Sequence, residues 1–182
     1  AYYNDHNYTK ALENIEKIRK PSQTILAAKQ KVLYQLGIEA MSNSRTQEAV
    51  KMFSRSLELA SYDRALALQT QLWLGDALYA TGSFAKAQSA YSTFINGEKV
   101  SSNKTLAMYN LAYAEYQQDK YANAASTFRK ALDAKPALPN ALEADAYIRM
   151  GDCLYYSGNY KSAQTAYSKA IEMGAADADY AT

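Results

Sequence analysis

Alanine and an aromatic residue stand four positions apart at four places: Ala49/Phe53, Ala87/Tyr91, Ala124/Phe128 and Ala163/Tyr167. Residues four apart share one face of a helix, so each pair belongs to an apolar stripe that can fill the gap to a neighbouring helix. Polar and turn-forming residues separate these stretches, and every long stretch between them is compatible with a helix. The pattern predicts an all-α protein.

Breaks in the pattern predict where the helices begin and end. Pro21 and Ser22 supply a stop and an N-cap before a helix from about Gln23 to Met41. Later helices are predicted to begin near Ser61 or Asp63, Ser101 to Asn103, and Pro139-Asn140. Turns within helical hairpins are predicted at 42–45, 81–82, 118–120 and 157–159. The chain therefore reads as a series of helical hairpins.

The hairpins repeat. Residues 150–167 match residues 74–91 almost throughout, and 111–128 and 36–53 carry the same pattern. One slot always holds a small residue, and its members are Gly37, Gly75, Ala112 and Gly151, at spacings of 38, 37 and 39 residues. A small residue in this slot lets a second helix approach closely. A hairpin cannot bury both faces alone, so the units are expected to stack.

These boundaries divide the chain into six segments that form one continuous solenoid domain. Residues 1–20 are predicted to be the second helix of a truncated repeat, and residues 175–182 the start of a further one. The four repeats between them are 21–60, 61–99, 100–136 and 137–174.

The Leu/Met-Gly pair, the small residue and the aromatic four positions on resemble the tetratricopeptide repeat. Gly75 with Leu78 and Gly151 with Leu154 carry the likeness together with the alanine–aromatic pairs. The first aromatic slot departs from it with Leu33, Gln71, Met108 and Tyr147, and only Pro136 meets the closing proline. The resemblance implies a right-handed superhelix of antiparallel hairpins. The period of about 38 exceeds the usual 34 by about one helical turn, which indicates longer first helices.

Composition narrows the functional classes. The 20 lysines and arginines against 18 acids give a net charge of +2, which is too weak a field for nucleic acid. No window approaches about 18 consecutive apolar residues, so direct membrane insertion is not expected. Cys153 is the single cysteine and excludes an internal disulfide framework.

Catalytic chemistry finds little support. His6 is the single histidine, expected in a solvated turn, so a zinc site or a Cys-His nucleophile lacks ligands. The glycines form no phosphate-binding loop. Asp76 and Asp152 lie two repeats apart, beyond the roughly 10 Å of paired acid and base carboxylates. They are expected to be solvated, or to contact a partner's lysine or amide. We predict no enzyme activity, no metal and no cofactor.

Tyrosine is unusually frequent, at 17 of 182 residues against 4 phenylalanines. Motif slots explain six as packing residues: Tyr8, Tyr121, Tyr160, Tyr91, Tyr167 and Tyr147. Others fall on the first-helix stripe that, in the family this chain resembles, lines a concave groove. The predicted groove residues are Tyr34, Ile38, Asp76, Tyr79, Tyr109, Tyr113, Tyr116, Asp145, Arg149, Asp152 and Tyr155. Trp73, one position off this stripe, is expected at a seam between repeats.

The groove suggests a scaffold or adaptor that binds a peptide or protein segment, because tyrosine offers a large, fairly rigid apolar surface with a polar tip. A lysine, asparagine and arginine clamp for a terminal carboxylate, known in one subfamily, is incomplete here, since only Asn110 and Arg149 are suitable donors. The preferred partner has apolar anchors and a basic group near Asp76, Asp145 or Asp152.

Two alternatives remain. One is a structural or self-associating segment of a larger envelope protein, which includes the formation of a homodimer. The other is an accessory glycan or small-ligand domain, which needs two or three rings in an open platform beside Asp or Asn. The resemblance favours a fragment of a longer bacterial protein, in the periplasm or cell envelope rather than the cytoplasm.

Overall fold

The computed structural model describes residues 7–174, so His6 and the expected repeat start at 175–182 lie outside the described residues. This part of the chain consists of helices joined by short turns and contains no strand. The helices are α1 (Tyr8–Glu16), α2 (Gln23–Ser42), α3 (Thr46–Leu57), α4 (Arg64–Ala80), α5 (Phe84–Gly97), α6 (Ser102–Tyr116), α7 (Tyr121–Asp133), α8 (Asn140–Tyr156) and α9 (Tyr160–Glu172). The all-α class is confirmed.

The residues group into two compact units, Ala1–Phe94 and Ile95–Thr182. In unit 1, α2 packs on α1 and α3, and α3 packs on α4. In unit 2, α7 lies between α6 and α8, and α8 packs on α9. The helices fall within the predicted repeat ranges, while a single continuous domain stays a prediction. In each hairpin the first helix is longer than the second, as the long period indicates.

Three first helices begin at side-chain caps that the sequence predicts. The Ser22 hydroxyl accepts from the Ile25 N–H at 3.3 Å, and the Asp63 carboxylate accepts from the Leu66 N–H at 2.9 Å. Ser101 caps α6 in the same way. Each acceptor satisfies a donor that has no partner within the first turn of its helix. The fourth first helix, α8, begins directly after Pro139 without a side-chain cap.

The hairpin turns share one backbone geometry. A residue with positive φ stands at the same position of each turn: Ser44 (57°), Gly82 (73°), Asp119 (57°) and Gly158 (77°). The N–H of the next residue bonds to the carbonyl five positions back, as from Arg45 to Ala40 at 2.8 Å. This left-handed ending satisfies carbonyls at the end of the first helix and reverses the chain.

The small-residue slot sets the distance within each hairpin. A Cβ atom added to Gly37 would lie 2.4 Å from the Phe53 ring, and one added to Gly75 would lie 2.5 Å from the Tyr91 ring. Phe53 and Tyr91 are themselves buried. The first helix therefore approaches so closely that the ring of the second helix lies directly on its backbone.

Two of the predicted packing positions differ in their surroundings. Tyr121 is half-buried, and its ring lies 4.8 Å from that of Tyr156 on the following first helix. Tyr160 fills the same slot in the last described hairpin but is 64% exposed. The prediction of Tyr160 as a core residue is wrong, because its own hairpin does not cover this slot fully: the equivalent Tyr121 is also in contact with Tyr156 of the following first helix.

A buried acid interrupts the core of unit 2. Glu115 is buried at a position where the other hairpins hold Ala40, Leu78 and Leu154. Its carboxylate accepts from the Thr127 hydroxyl at 2.7 Å. Burial raises the pKa of Glu115 above its ordinary value of 4.5, although Thr127 and nearby lysines act in the opposite direction. Ionisation of Glu115 therefore costs the folded state free energy.

Ser44 is a non-glycine residue in a left-handed turn, which predicts that Ser44→Gly stabilises the protein. Relief of the steric strain exceeds the added entropy of the unfolded chain, so we expect the free energy of unfolding to rise by about 0.5–1 kcal/mol. Gly82→Ser, at the equivalent position, should lower it by a similar amount. Urea denaturation measures both, and a loss of stability in Ser44→Gly would contradict the strain.

Glu115→Gln keeps an oxygen that accepts from Thr127 but removes the ionisation. The folded pKa is raised, so wild-type stability falls as the pH rises from about 4.5 through the folded pKa and then levels off. We therefore expect the variant to melt close to the wild type at about pH 4.5 and at a higher temperature than the wild type at about pH 8. Equal melting temperatures at both pH values would show that the acid is accommodated without cost.

Candidate functional site

Six polar residues join the helices of unit 2 in one hydrogen-bonded network. Tyr109 and Tyr113 lie one turn apart on α6, and Asp145, Arg149 and Asp152 are spaced i, i+4, i+7 on α8. Each set therefore occupies one face of its helix. The α6–α8 network consists of these five residues and Tyr167 of α9.

Asp145 is the acceptor at the centre of the α6–α8 network. Its Oδ2 accepts from the Tyr109 hydroxyl at 2.7 Å and also from the Tyr113 hydroxyl. Its Oδ1 lies 3.5 Å from Nε of Arg149. The carboxylate of Asp145 on α8 thus links both tyrosines of α6 to α8.

Arg149 extends the network along α8. Its Nε donates to the Tyr113 hydroxyl at 3.2 Å, and its Nη1 donates to Oδ2 of Asp152 at 3.0 Å. The other oxygen of Asp152 accepts from the Tyr167 hydroxyl at 2.9 Å. Two carboxylates share one guanidinium, so the network carries a net charge of −1 when the tyrosines are neutral.

Tyr109, Tyr113 and Arg149 keep their protons near neutral pH, because the pKa of each is raised. Burial, with the hydrogen bond to Asp145, raises the pKa of Tyr113 to about 12 and raises that of Tyr109 further. Burial opposes the charge of Arg149, but its bonds to Tyr113 and Asp152 raise its pKa. The hydroxyls therefore remain donors and the guanidinium stays charged.

The rings of the same tyrosines pack on the core. The centroids of Tyr109 and Tyr113 lie 5.1 Å apart, and both rings meet Phe128 edge-to-face, at 6.0 and 5.4 Å. Tyr116 meets Tyr121 at 5.6 Å. All three first-helix tyrosines are half-buried, so one side of each ring contacts the protein and the rest remains accessible.

In unit 1 the predicted groove residues belong to a separate apolar cluster. The half-buried Tyr34 ring lies 6.1 Å from that of Phe53, and burial raises the pKa of its hydroxyl although the Trp73 indole acts in the opposite direction. Ile38 and Trp73 pack on the same cluster, so Trp73 lies at a contact between repeats, as predicted. Tyr79 meets Phe84 edge-to-face at 5.2 Å.

Asp76 and Asp152 were expected to be solvated or to contact a partner's lysine or backbone amide, but each accepts a hydrogen bond from a tyrosine of its own hairpin. Asp76 accepts from the Tyr91 hydroxyl at 2.7 Å, as Asp152 does from Tyr167. The sequence contains a signal for this pairing. Aspartate follows the small residue only in the two repeats whose core aromatic is tyrosine, and Ile38 and Tyr113 follow it where that aromatic is phenylalanine.

Tyr155 lies at the end of α8, where it meets Tyr160 at 5.2 Å and Tyr156 at 6.0 Å. The ring planes are inclined by 63° and 78°, and Asn159 is adjacent in sequence. These three rings are therefore not coplanar, and the glycan alternative stays a prediction.

Chemistry beyond binding has few candidates among the described residues. No group of three or more His, Cys, Asp or Glu could hold a metal ion in residues 7–174. Burial raises the pKa of the Cys153 thiol to about 12, which leaves it a poor nucleophile. Cavities of about 410 and 640 Å³ in unit 1 are lined by residues of α3, α4 and α5 and by the turn between α3 and α4, and no predicted groove residue lines either. No described helix is long and apolar enough to cross a membrane.

The tyrosine–aspartate pairing predicts a compensating double substitution. Asp76→Ile removes the acceptor of the buried Tyr91 hydroxyl, which should cost about 1–3 kcal/mol of unfolding free energy. Adding Tyr91→Phe recreates the Ile38–Phe53 combination and should recover most of that loss. Chemical denaturation of the two single variants and the double variant measures the coupling; additive losses would show that the bond contributes nothing.

Two tetratricopeptide repeat models match the sequence, at residues 34–99 and 104–175. No curated protein is a significant match. Similar solved structures include BtubC (BKLC) from P. vanneervenii, with a TM-score of 0.71 and 16% identity over 93% of this chain and 71% of that chain. MamA 41-end from Desulfovibrio magneticus RS-1 gives 0.67 and 18%, over 95% and 89%.

At these identities the structural likeness shows the fold alone. The two sequence matches fall on the four hairpins that repeat the small-residue slot, the alanine–aromatic pair and the left-handed turn. Repeats of this kind generally mediate binding between proteins and are generally not catalytic. The chain belongs to the tetratricopeptide repeat family.

Proposed function

We propose that the protein is a scaffold or adaptor that binds a peptide or protein segment on the tyrosine face of α6 and α8. The α6–α8 network carries this proposal. It fixes the hydroxyls of Tyr109 and Tyr113, while part of each residue stays accessible to solvent. A ring that is already immobilised loses little further entropy when a partner packs on it, which favours binding.

The engaged carboxylates change the expected chemistry of the partner. Asp145 and Asp152 already accept bonds from tyrosines and Arg149, so a basic group on the partner would compete with bonds inside the protein. A partner segment that carries a lysine is therefore not the preferred ligand. Apolar side chains that pack on Tyr109, Tyr113 and Tyr116 supply the better contact.

Arg149 offers the polar part of the same surface. Its hydrogen bonds use Nε and Nη1, so the N–H groups of Nη2 can donate to a bound group. Two nearby carboxylates make a ligand carboxylate unfavourable, and a neutral backbone carbonyl fits better. The proposed ligand is therefore a neutral segment with apolar anchors, held by ring contacts and one or two bonds to its backbone.

A peptide-display selection against the intact chain tests this proposal. Selected peptides should carry apolar or aromatic anchors, and Tyr109→Ala/Tyr113→Ala/Tyr116→Ala should weaken their binding by about 10- to 100-fold, as removal of interface aromatics does. Tyr62→Ala, at an exposed tyrosine of unit 1, is the control and should bind as the wild type does.

Circular dichroism confirms that each variant is folded. If the triple variant is folded and binds the selected peptides as well as the wild type, the three tyrosines of α6 are packing residues and the proposed site is wrong. Tyr113→Phe separates the two parts of the argument, since it keeps the ring and removes the bond to Asp145.

A further inference from the structure

An open groove runs through unit 1 between α3 and α5, with α4 as its floor. The cavities of about 640 and 410 Å³ share Gln71 and Thr93, so they form one continuous space. We call this space the α3–α5 groove. Its lining includes Val50 and Ser54 of α3, Leu74 and Leu78 of α4, and Ser89 and Thr93 of α5.

The walls of the α3–α5 groove carry hydroxyl groups whose protons are already used. Ser54 donates to the Val50 carbonyl at 2.7 Å, and Thr93 donates to the Ser89 carbonyl at 3.0 Å. Ser89 donates to the Ala85 carbonyl at 3.2 Å. A hydroxyl that donates within its own helix keeps lone pairs that can accept. These exposed side chains therefore offer acceptors, and a ligand of the groove must supply hydrogen-bond donors.

The spacing of the acceptors fits an extended polypeptide. Ser89 and Thr93 stand one turn apart on α5, about 6 Å along the helix axis. An extended strand presents N–H groups on one edge at every second residue, about 6.6 Å apart. Two successive N–H groups of that edge can therefore reach both hydroxyls. Leu74 and Leu78 on the floor are apolar and fit the side chains of alternate residues of the strand.

The charge of the lining adds a second selection. Lys86 lines one of the two cavities and Arg64 lines the other, and none of the residues that line these cavities is acidic. Acidic groups on a ligand are therefore favoured over basic ones.

Unit 2 carries larger side chains at the equivalent positions. Three residues of the groove have counterparts 75 or 76 positions later, where Arg129, Tyr147 and Lys169 replace Ser54, Gln71 and Thr93. The open groove and its acceptors thus depend on residues particular to unit 1, and the stacking of repeats alone does not produce them.

We propose that the α3–α5 groove binds an extended polypeptide segment with apolar side chains at alternate positions and acidic residues at its ends. Its N–H groups donate to Ser89 and Thr93, and its apolar side chains pack on Leu74 and Leu78. A helical segment is a poorer occupant, because its N–H groups are bonded within the helix. This site goes beyond the one proposed on α6 and α8, where exposed rings supply the contact.

The probe is the capped peptide acetyl-Glu-Val-Ser-Val-Ser-Val-Glu-amide, titrated into the full chain and followed by NMR of isotope-labelled methyl groups. The methyl signals of Leu74 and Leu78 should shift and saturate. That of Leu154, which holds the position of Leu78 in unit 2, should stay in place.

A matched pair of variants tests the acceptors. Ser89→Ala/Thr93→Val removes both hydroxyls at exposed positions and should weaken binding about tenfold, as the loss of two neutral hydrogen bonds does. Thr165→Val removes from α9 a hydroxyl with the same intrahelical bond and should bind within about twofold of the wild type.

Two changes to the peptide test its chemistry. Methylation of the backbone nitrogens of its valines and serines removes the donors and should abolish measurable binding. Replacement of both glutamates by lysine should weaken binding about threefold or more.

Several results would overturn the proposal. They are the absence of a saturable shift at Leu74 and Leu78, equal binding by the wild type and Ser89→Ala/Thr93→Val, and equal binding of the methylated and unmethylated peptides. Equal binding of the lysine peptide would contradict the acidic ends. Shifts caused by trehalose while the peptide has no effect would assign the groove to a polyol. The triple tyrosine variant of α6 should bind this peptide normally, so failure here leaves the proposed function untouched.

Discussion

A contact between a glycine of the first helix and an aromatic ring of the second organises three of the four hairpins, and Ala112 takes the place of the glycine in the remaining one. Where Gly37 or Gly75 stands, the ring of the second helix occupies the volume that a Cβ atom would need. The first helix is thereby held close to the second, whose alanines Ala49 and Ala87 are buried. The groove tyrosines and the surfaces between repeats take their positions from this contact.

The same contact explains why polar residues can be accommodated beside it. A phenylalanine at the aromatic position of the second helix needs only apolar neighbours, whereas a tyrosine there has a hydroxyl that needs a hydrogen-bond acceptor. Asp76 and Asp152 supply it. Asp152 in turn holds Arg149, and Arg149 reaches Tyr113, so a packing requirement in one hairpin extends into the polar surface shared with the neighbouring first helix of unit 2.

Local features of the fold could be predicted and distant partners could not. The caps at Ser22 and Asp63 and the turns depend on a few neighbouring residues, and the sequence displays them directly. Asp145 meets Tyr109 and Tyr113 from 36 and 32 residues away, a meeting that depends on how two hairpins pack. The wrong prediction for Tyr160 has the same cause, because burial of this slot depends also on the following hairpin, as the contact of Tyr121 with Tyr156 shows.

The position of Cys153 makes the molecule convenient for site-specific chemistry. The thiol is buried between α7 and α8, and burial raises its pKa to about 12, so at neutral pH it supplies almost no thiolate to attack a maleimide reagent. Two cysteines introduced at exposed positions, one in each unit, would then react while Cys153 does not. A spin label or fluorophore at each of the two positions would report the distance between the units, and its distribution, with the native thiol left in place.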